Sequence, residues 1–210
     1  GTQTTKAGGA NSIAFGSGAV TTAAGSSAIA IGTGANASGG ASIAMGDGAI
    51  SSNGSSVAIG GTSKALNPAG PARATQASGV GATAVGPGSV ASATGATALG
   101  DSATASANYT AALGTGAKAD GLRGMAFGNN TWAREDDTAF GAGALQGSKA
   151  SARTVAVGAN AGASAVEATE SVFVGNLSGS GSNGTRNVYT GYAAGSTGAV
   201  GSLSVGSGNY

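Results

Sequence analysis

Short apolar phrases, alternating large and small residues and closed by glycine, recur along the chain. Gly86, Gly100, Gly114 and Gly128 follow one another at a constant step of fourteen and close TAVG, TALG, AALG and MAFG. Earlier copies read SIAFG at Gly16, AIAIG at Gly32, SIAMG at Gly46 and SVAIG at Gly60. Later ones read TAFG at Gly141, VAVG at Gly158, VFVG at Gly175, VYTG at Gly191 and LSVG at Gly206. Thirteen copies make the chain a repeat array. From Ser42 to Asn53 the side chains follow a two-residue period, with Ile43 and Met45 on one face and Ser42 and Ala44 on the other. The pattern predicts a strand ended by Gly46, a turn at Asp47-Gly48, a second short strand over Ala49 to Ser51, and a second turn at Asn53-Gly54. Fourteen residues are too few for a crossover helix, so the units should stack as parallel coils of an all-β solenoid, about 4.8 Å apart.

The large apolar face carries Ile13/Phe15, Ile29/Ile31, Ile43/Met45, Val57/Ile59, Thr83/Val85, Thr97/Leu99, Ala111/Leu113 and Met125/Phe127, and is expected to be the protomer core. The other face holds alanine ten times running, at Ala14, Ala30, Ala44, Ala58, Ala84, Ala98, Ala112, Ala126, Ala139 and Ala156. Alanine is a poor strand former and gives water nothing to bond, so a close-packed neighbour is expected against it. Two medium side chains per coil make a thin core for fourteen glycine-rich residues that must be ordered. Oligomerisation is the expected remedy, with Ala84, Ala98, Ala112 and Ala126 packing against another protomer.

Regular repeats are expected over residues 1–160, with an inserted loop at 61–78, and looser repeats of the same solenoid over 161–210. The insertion holds Lys64, Pro68, Pro71 and Arg73 and no acid; it reads either as a binding loop or as a tolerated surface insertion. After Gly141 the spacing becomes 17, 17, 16 and 15, and the central alanine gives way to Phe173, Tyr189 and Ser204 in the last three copies. Aligning the second strand places Val90, Thr104, Lys118, Trp132 and Leu145 at one outward position. Trp132, the sole tryptophan, is therefore either part of a binding patch or packed against a neighbouring protomer.

Composition narrows the function. Forty-two glycines and 8% charged residues could mean disorder, but 40% of residues are apolar and the glycines are periodic. Nine basic and eight acidic residues give no electrostatic reason to expect nucleic acid. The chain has no cysteine or histidine, so disulfides, thiolate sites and imidazole bases are excluded. No catalytic residue, metal or cofactor is expected; Glu135, Asp136 and Asp137, beside Arg134, read as a solvated charge run. No run reaches the roughly 18 apolar residues of a membrane span, so this stretch is expected to be soluble, not to insert into a membrane, and to be a piece of something longer.

The phrase [ST]-[IV]-A-[IVLMF]-G, followed by G-x-[GS]-[AS]-x-[AS], resembles the head repeat of YadA-like trimeric autotransporter adhesins. Asn11, Ser12, Ile13, Ala14, Phe15 and Gly16 form one close copy, and Ser56, Val57, Ala58, Ile59 and Gly60 another. The resemblance implies a left-handed parallel β-roll of about 13 coils, a homotrimer on the bacterial cell surface, and adhesion to host extracellular matrix protein or host cells. It further implies anchoring to the outer membrane through parts beyond these residues. Three other solenoid classes fit less well: left-handed β-helix acyltransferases have longer coils and a catalytic histidine, ice-binding solenoids need a threonine array, and calcium-binding nonapeptide repeats need aspartate in each turn. Thr83, Thr97 and Thr138 are scattered and are expected to face the core. A structural fibre or spacer module is the main alternative to an adhesin head.

Overall fold

A computed structural model of the protein describes residues 4–63, 72–149 and 151–196, together with the backbone of 203–204. Among the described residues every regular element is a β-strand. The chain divides into two compact units, Gly1–Tyr109 and Thr110–Tyr210.

In the first unit, three-residue strands alternate with two-residue strands. The longer set is Ile13–Phe15, Ile29–Ile31, Ile43–Met45, Val57–Ile59, Thr83–Val85 and Thr97–Leu99; each pairs in parallel with the next, alanine beside alanine. The shorter set runs from Lys6–Ala7 through Val20–Thr21, Asn36–Ala37, Ile50–Ser51, Gln76–Ala77 and Val90–Ala91 to Thr104–Ala105, again parallel. These are stacked solenoid coils, as the period requires. The Ile43 amide donates to the Ser56 carbonyl of the next coil at 2.9 Å, and the Gly46 amide to the Ile31 carbonyl of the previous coil at 2.8 Å.

Glycine closes each phrase because the coils approach too closely for a side chain. Gly46 has φ 124°, and a Cβ there would lie 2.2 Å from the Gly60 carbonyl oxygen. Five residues before the closing glycine the backbone is left-handed whatever the residue, with Asn11, Ser27, Ala41, Ser55 and Tyr109 at φ between 53° and 58°.

The structure reverses the expected faces. Ala30, Ala44, Ala58, Ala84 and Ala98 are fully buried within the first unit, as are Ala112, Ala126, Ala139 and Ala156 within the second; Ala14, near the chain start, is half-buried. The large apolar side chains point outward: Phe15 is 72% exposed and Ile13 53%, with Met45, Ile59 and Leu99 also exposed. Thr83, Thr97 and Thr138 are likewise half-exposed on that outer face, not in the core. Ala84, Ala98, Ala112 and Ala126 therefore cannot be the surface that packs against another protomer. The reason is the size of the coil: one strand of three residues faces one of two, and only small side chains fit between them. Serine and threonine share this interior, as where the buried Ser51 and Ser56 hydroxyls meet at 2.7 Å.

The insertion leaves the stack in register. Val57–Ile59 pairs with Thr83–Val85 and Ile50–Ser51 with Gln76–Ala77. Gln76–Ala77 is thus an ordinary short strand, and the insertion ends before it, not at residue 78. Ser63 and Arg73 form an antiparallel bridge at its base, exchanging main-chain hydrogen bonds of 2.8 and 2.7 Å.

The second unit begins with the same coil and then changes. Ala111–Leu113, Met125–Phe127, Thr138–Phe140, Val155–Val157, Val172–Val174 and Val188–Thr190 pair in parallel in chain order. The short strands Lys118–Ala119 and Trp132–Ala133 pair beside each other, and among the described residues the sheet of short strands ends there. There the longer coils turn where the earlier ones extend. Leu145, expected to point outward beside Trp132, has φ 53° and is fully buried. Phe173 is buried too, and its ring stacks on Tyr189 with centroids 5.7 Å apart and planes 12° apart. Gly179, at φ 67°, makes room for it: a Cβ there would lie 2.3 Å from Phe173 Cδ1. The final phrase is not another parallel coil, since Leu203–Ser204 pairs antiparallel with Val188–Thr190.

Candidate functional site

The two sequence candidates lie in different units. In the first, Lys64, Pro68 and Pro71 fall outside the described residues, and side-chain bonds hold the base of their loop. The Ser63 hydroxyl donates to Asp101 Oδ1 at 2.7 Å, and Arg73 Nη1 donates to Thr104 Oγ1 at 3.2 Å. Burial lowers the Arg73 guanidinium below its usual pKa, because its charge is partly withdrawn from water. Arg73 thus helps fasten the insertion to the solenoid wall.

In the second unit, Trp132 is half-buried on the outer face of the short-strand sheet. The parallel register puts Lys118 directly beside it, while Ala119 and Ala133 point inward and fill the core. Lys118 Nζ lies 4.2 Å from the indole centroid and Arg134 Cζ 4.6 Å, so two cations sit over one ring. Asp120 closes the circuit: it pairs with Lys118 at 2.9 Å and accepts the indole Nε1–H at 2.9 Å. The ring is thereby held in one orientation. A cleft of about 330 Å³ opens beside it, lined among others by Lys118, Asn130, Trp132 and Gln146.

A family model for the YadA head domain repeat, in two copies, matches residues 3–19, 7–29, 23–49, 77–103, 91–117 and 105–131. Residues 3–49 and 77–131 thus carry repeats similar to those of the YadA head. No curated protein matches the chain. The matches leave out residues 50–76, which contain the insertion, and everything after 131, where the coil changes. Along the solenoid the repeat phrase sorts by face. Ser56 and Ala58 are buried, Val57 is half-exposed, Ile59 is exposed, and Gly60 turns the chain at φ 144°. The first copy follows the same plan with a barer interior: Ser12 and Ala14 half-buried, Ile13 and Phe15 exposed, Asn11 left-handed and Gly16 at φ 123°.

The acidic run disperses into three roles. Glu135 is exposed, as expected of a solvated run. Asp136 forms a two-point pair with Arg123, at 2.5 Å to Nε and 2.7 Å to Nη2, which holds its carboxyl below the usual range. Asp137 is buried, contrary to the solvated reading. Its carboxylate accepts from the Arg134 amide at 3.0 Å and the Thr154 amide at 2.9 Å, so it splices neighbouring coils. Burial pushes its pKa up, against the opposing pull of Ser151 and those two amides. Among the described residues no cluster of three or more potential ligands could hold a metal. Nor is any helix there long and apolar enough to cross a membrane.

Sequence reasoning missed a ladder. Arg123, Asp136, Arg153, Glu170 and Arg186 occupy the left-handed position of five consecutive coils, at φ 56–60°. Their charges alternate, and Arg153 pairs with Glu170 at 2.9 Å. The signal was available, since each lies five residues before a closing glycine.

Proposed function

We propose that this solenoid is the head of a bacterial surface adhesin, assembled as a homotrimer and attaching to host cells or extracellular matrix through many weak contacts. The observation that supports it best is the pairing of YadA head repeats with an outward ladder of large apolar side chains on the long-strand sheet of each unit. In the first unit this ladder includes Ile13, Phe15, Met45, Ile59 and Leu99; in the second, Met125, Phe140, Val155, Val157 and Val174. Covering one such side chain contributes about 1.5–3 kcal/mol, against about 0.8 for a buried methyl group of the interior. Assembly driven through the outer apolar face therefore replaces assembly through the alanines, and copies of the chain are its occupants. Contiguous exposed apolar surface of this kind marks an interface. The head works without catalysis or nucleic acid, and other parts of the longer protein hold it at the outer membrane.

Many copies on one surface gain avidity without any single tight site. The test is attachment of beads coated with the 210-residue chain to a panel of matrix proteins and host cells. Arrayed heads should bind strongly where a single head binds weakly, and deleting the loop after Gly60 should reduce binding to at least one panel member while sedimentation still shows a trimer. Beads that attach to nothing favour the spacer reading.

A further inference from the structure

The Trp132 cleft has a composition that the assembly does not explain. It lies on the short-strand sheet, away from the apolar ladder, so the proposed trimer leaves it open. The coil beneath is already filled by Ala119 and Ala133. Three long side chains, Lys118, Trp132 and Arg134, are nonetheless fixed above it by two cation–π contacts and the Asp120 bridge. Ordering such side chains on a surface costs conformational entropy, and the benefit of meeting that cost in advance is a rigid contact surface for a ligand.

The lining indicates which ligand. Lys118 supplies an ammonium whose three donors are not exhausted by one bond to Asp120. Asn130 and the exposed Gln146 offer side-chain amides that both donate and accept, the pattern that matches sugar hydroxyls; Asn130 Nδ2 donates to Asn129 Oδ1 at 2.8 Å, and the Gln146 side-chain amide has no hydrogen bond among the described residues. Trp132, with Lys118 and Arg134 over its ring, adds apolar carbon to the cleft wall for the C–H groups of a pyranose. Gly116 and Gly147 keep the walls low, and no carboxylate lines the cleft. Its volume of about 330 Å³ is at the small end for ligand sites, about 300–1,000 Å³, and suits one sugar unit of an extended chain.

We propose that this cleft binds a uronate-bearing saccharide, with Lys118 taking the carboxylate, Asn130 and Gln146 the hydroxyls, and Trp132 giving the apolar wall. The proposal gives the adhesin reading a second class of ligand, and it is read out independently of bead attachment. Because Trp132 is the only tryptophan, emission excited at the red edge, where the four tyrosines do not absorb, reports this cleft alone. The full chain is titrated at low salt with a hyaluronan tetrasaccharide, a neutral chitin tetrasaccharide and a glutamate-rich peptide, with calorimetry in parallel. The expected result is a saturable emission change with the hyaluronan fragment only. Lys118→Gln should weaken it about tenfold and Gln146→Ala several-fold, with unchanged circular dichroism. Absence of hyaluronan binding by both methods overturns the proposal, as does equal binding of the neutral sugar or of the acidic peptide, or undiminished affinity in Lys118→Gln. Beads that still attach to matrix proteins would then leave the adhesin reading standing.

Discussion

The two units build coils from the same phrase and fill them differently. In the first, the interior is alanine, serine and threonine, the closing glycines step evenly through Gly32, Gly46 and Gly60 before the insertion, and the left-handed turn position holds uncharged residues. In the second, after Phe140, the longer coils that run between Gly141, Gly158 and Gly175 enclose Leu145 and Phe173, and the turn position carries alternating charges. A two-residue strand across from a three-residue strand admits only the small side chains of alanine, serine and threonine. Replacing that short strand by a longer turn widens the interior enough for an aromatic ring. Coil length, more than hydrophobicity, decides what the inside can hold.

The largest effect should come from removing the ring that the wide coils enclose. Phe173→Ala should cost about 3–5 kcal/mol in denaturant unfolding, by loss of buried area and of the stack on Tyr189. A loss under about 1 kcal/mol would mean that the second unit does not rely on its wider core. The counterpart in the narrow coil is Ala98→Leu, which overpacks the space between the sheets and should cost about 1–3 kcal/mol. Its damage should appear within the protomer, whereas Phe15→Ser should dissociate the assembly in sedimentation and leave the coil intact. If Ala98→Leu only dissociates the assembly, the assignment of faces is wrong.

Asp137→Ala removes an acceptor from two buried amides and should cost about 1–3 kcal/mol. Its pH signature is also specific. Because burial raises its folded pKa, the folded chain keeps a proton that the unfolded chain has released, and stability falls as pH rises from the ordinary aspartate value through the raised one. Asp136 has the opposite sense: its pair with Arg123 stabilises above the ordinary aspartate value, and that contribution is lost as pH falls through the lowered one. Asp136→Asn should therefore give the smallest change of the series at neutral pH, visible mainly as lost sensitivity to salt and acid in the second unit.

The period, the parallel stacking and the closing glycines were all legible in the sequence, because a backbone that meets itself once per coil leaves little choice of residue at the contact. Gly46, with its carbonyl neighbour 2.2 Å from any Cβ, is the plainest instance. The inside and outside were not legible by size, since the rule that large apolar residues go inward presumes room for them. Ile43 and Ala44 alternate correctly but in the opposite sense, and the alternation alone cannot say which face is narrow. Leu145 failed for a related reason: counting from the previous glycine assumes an extended strand, whereas the longer coil has already turned. At the Trp132 site, the one-coil step from Lys118 was legible, as was the matching step from Asp120 to Arg134. Their closure around one ring depended on side-chain orientation, which spacing does not encode.

The main-chain bonds between coils run along the direction of stacking, and this has a mechanical consequence. Within a unit, tension applied along that direction bears on one rung at a time, so coils should peel off singly instead of shearing together. Each released coil of fourteen residues lengthens the tether by up to about 46–50 Å at full extension. A head built this way can absorb work under flow by yielding in small, repeated steps while the remaining coils keep their faces and their contacts.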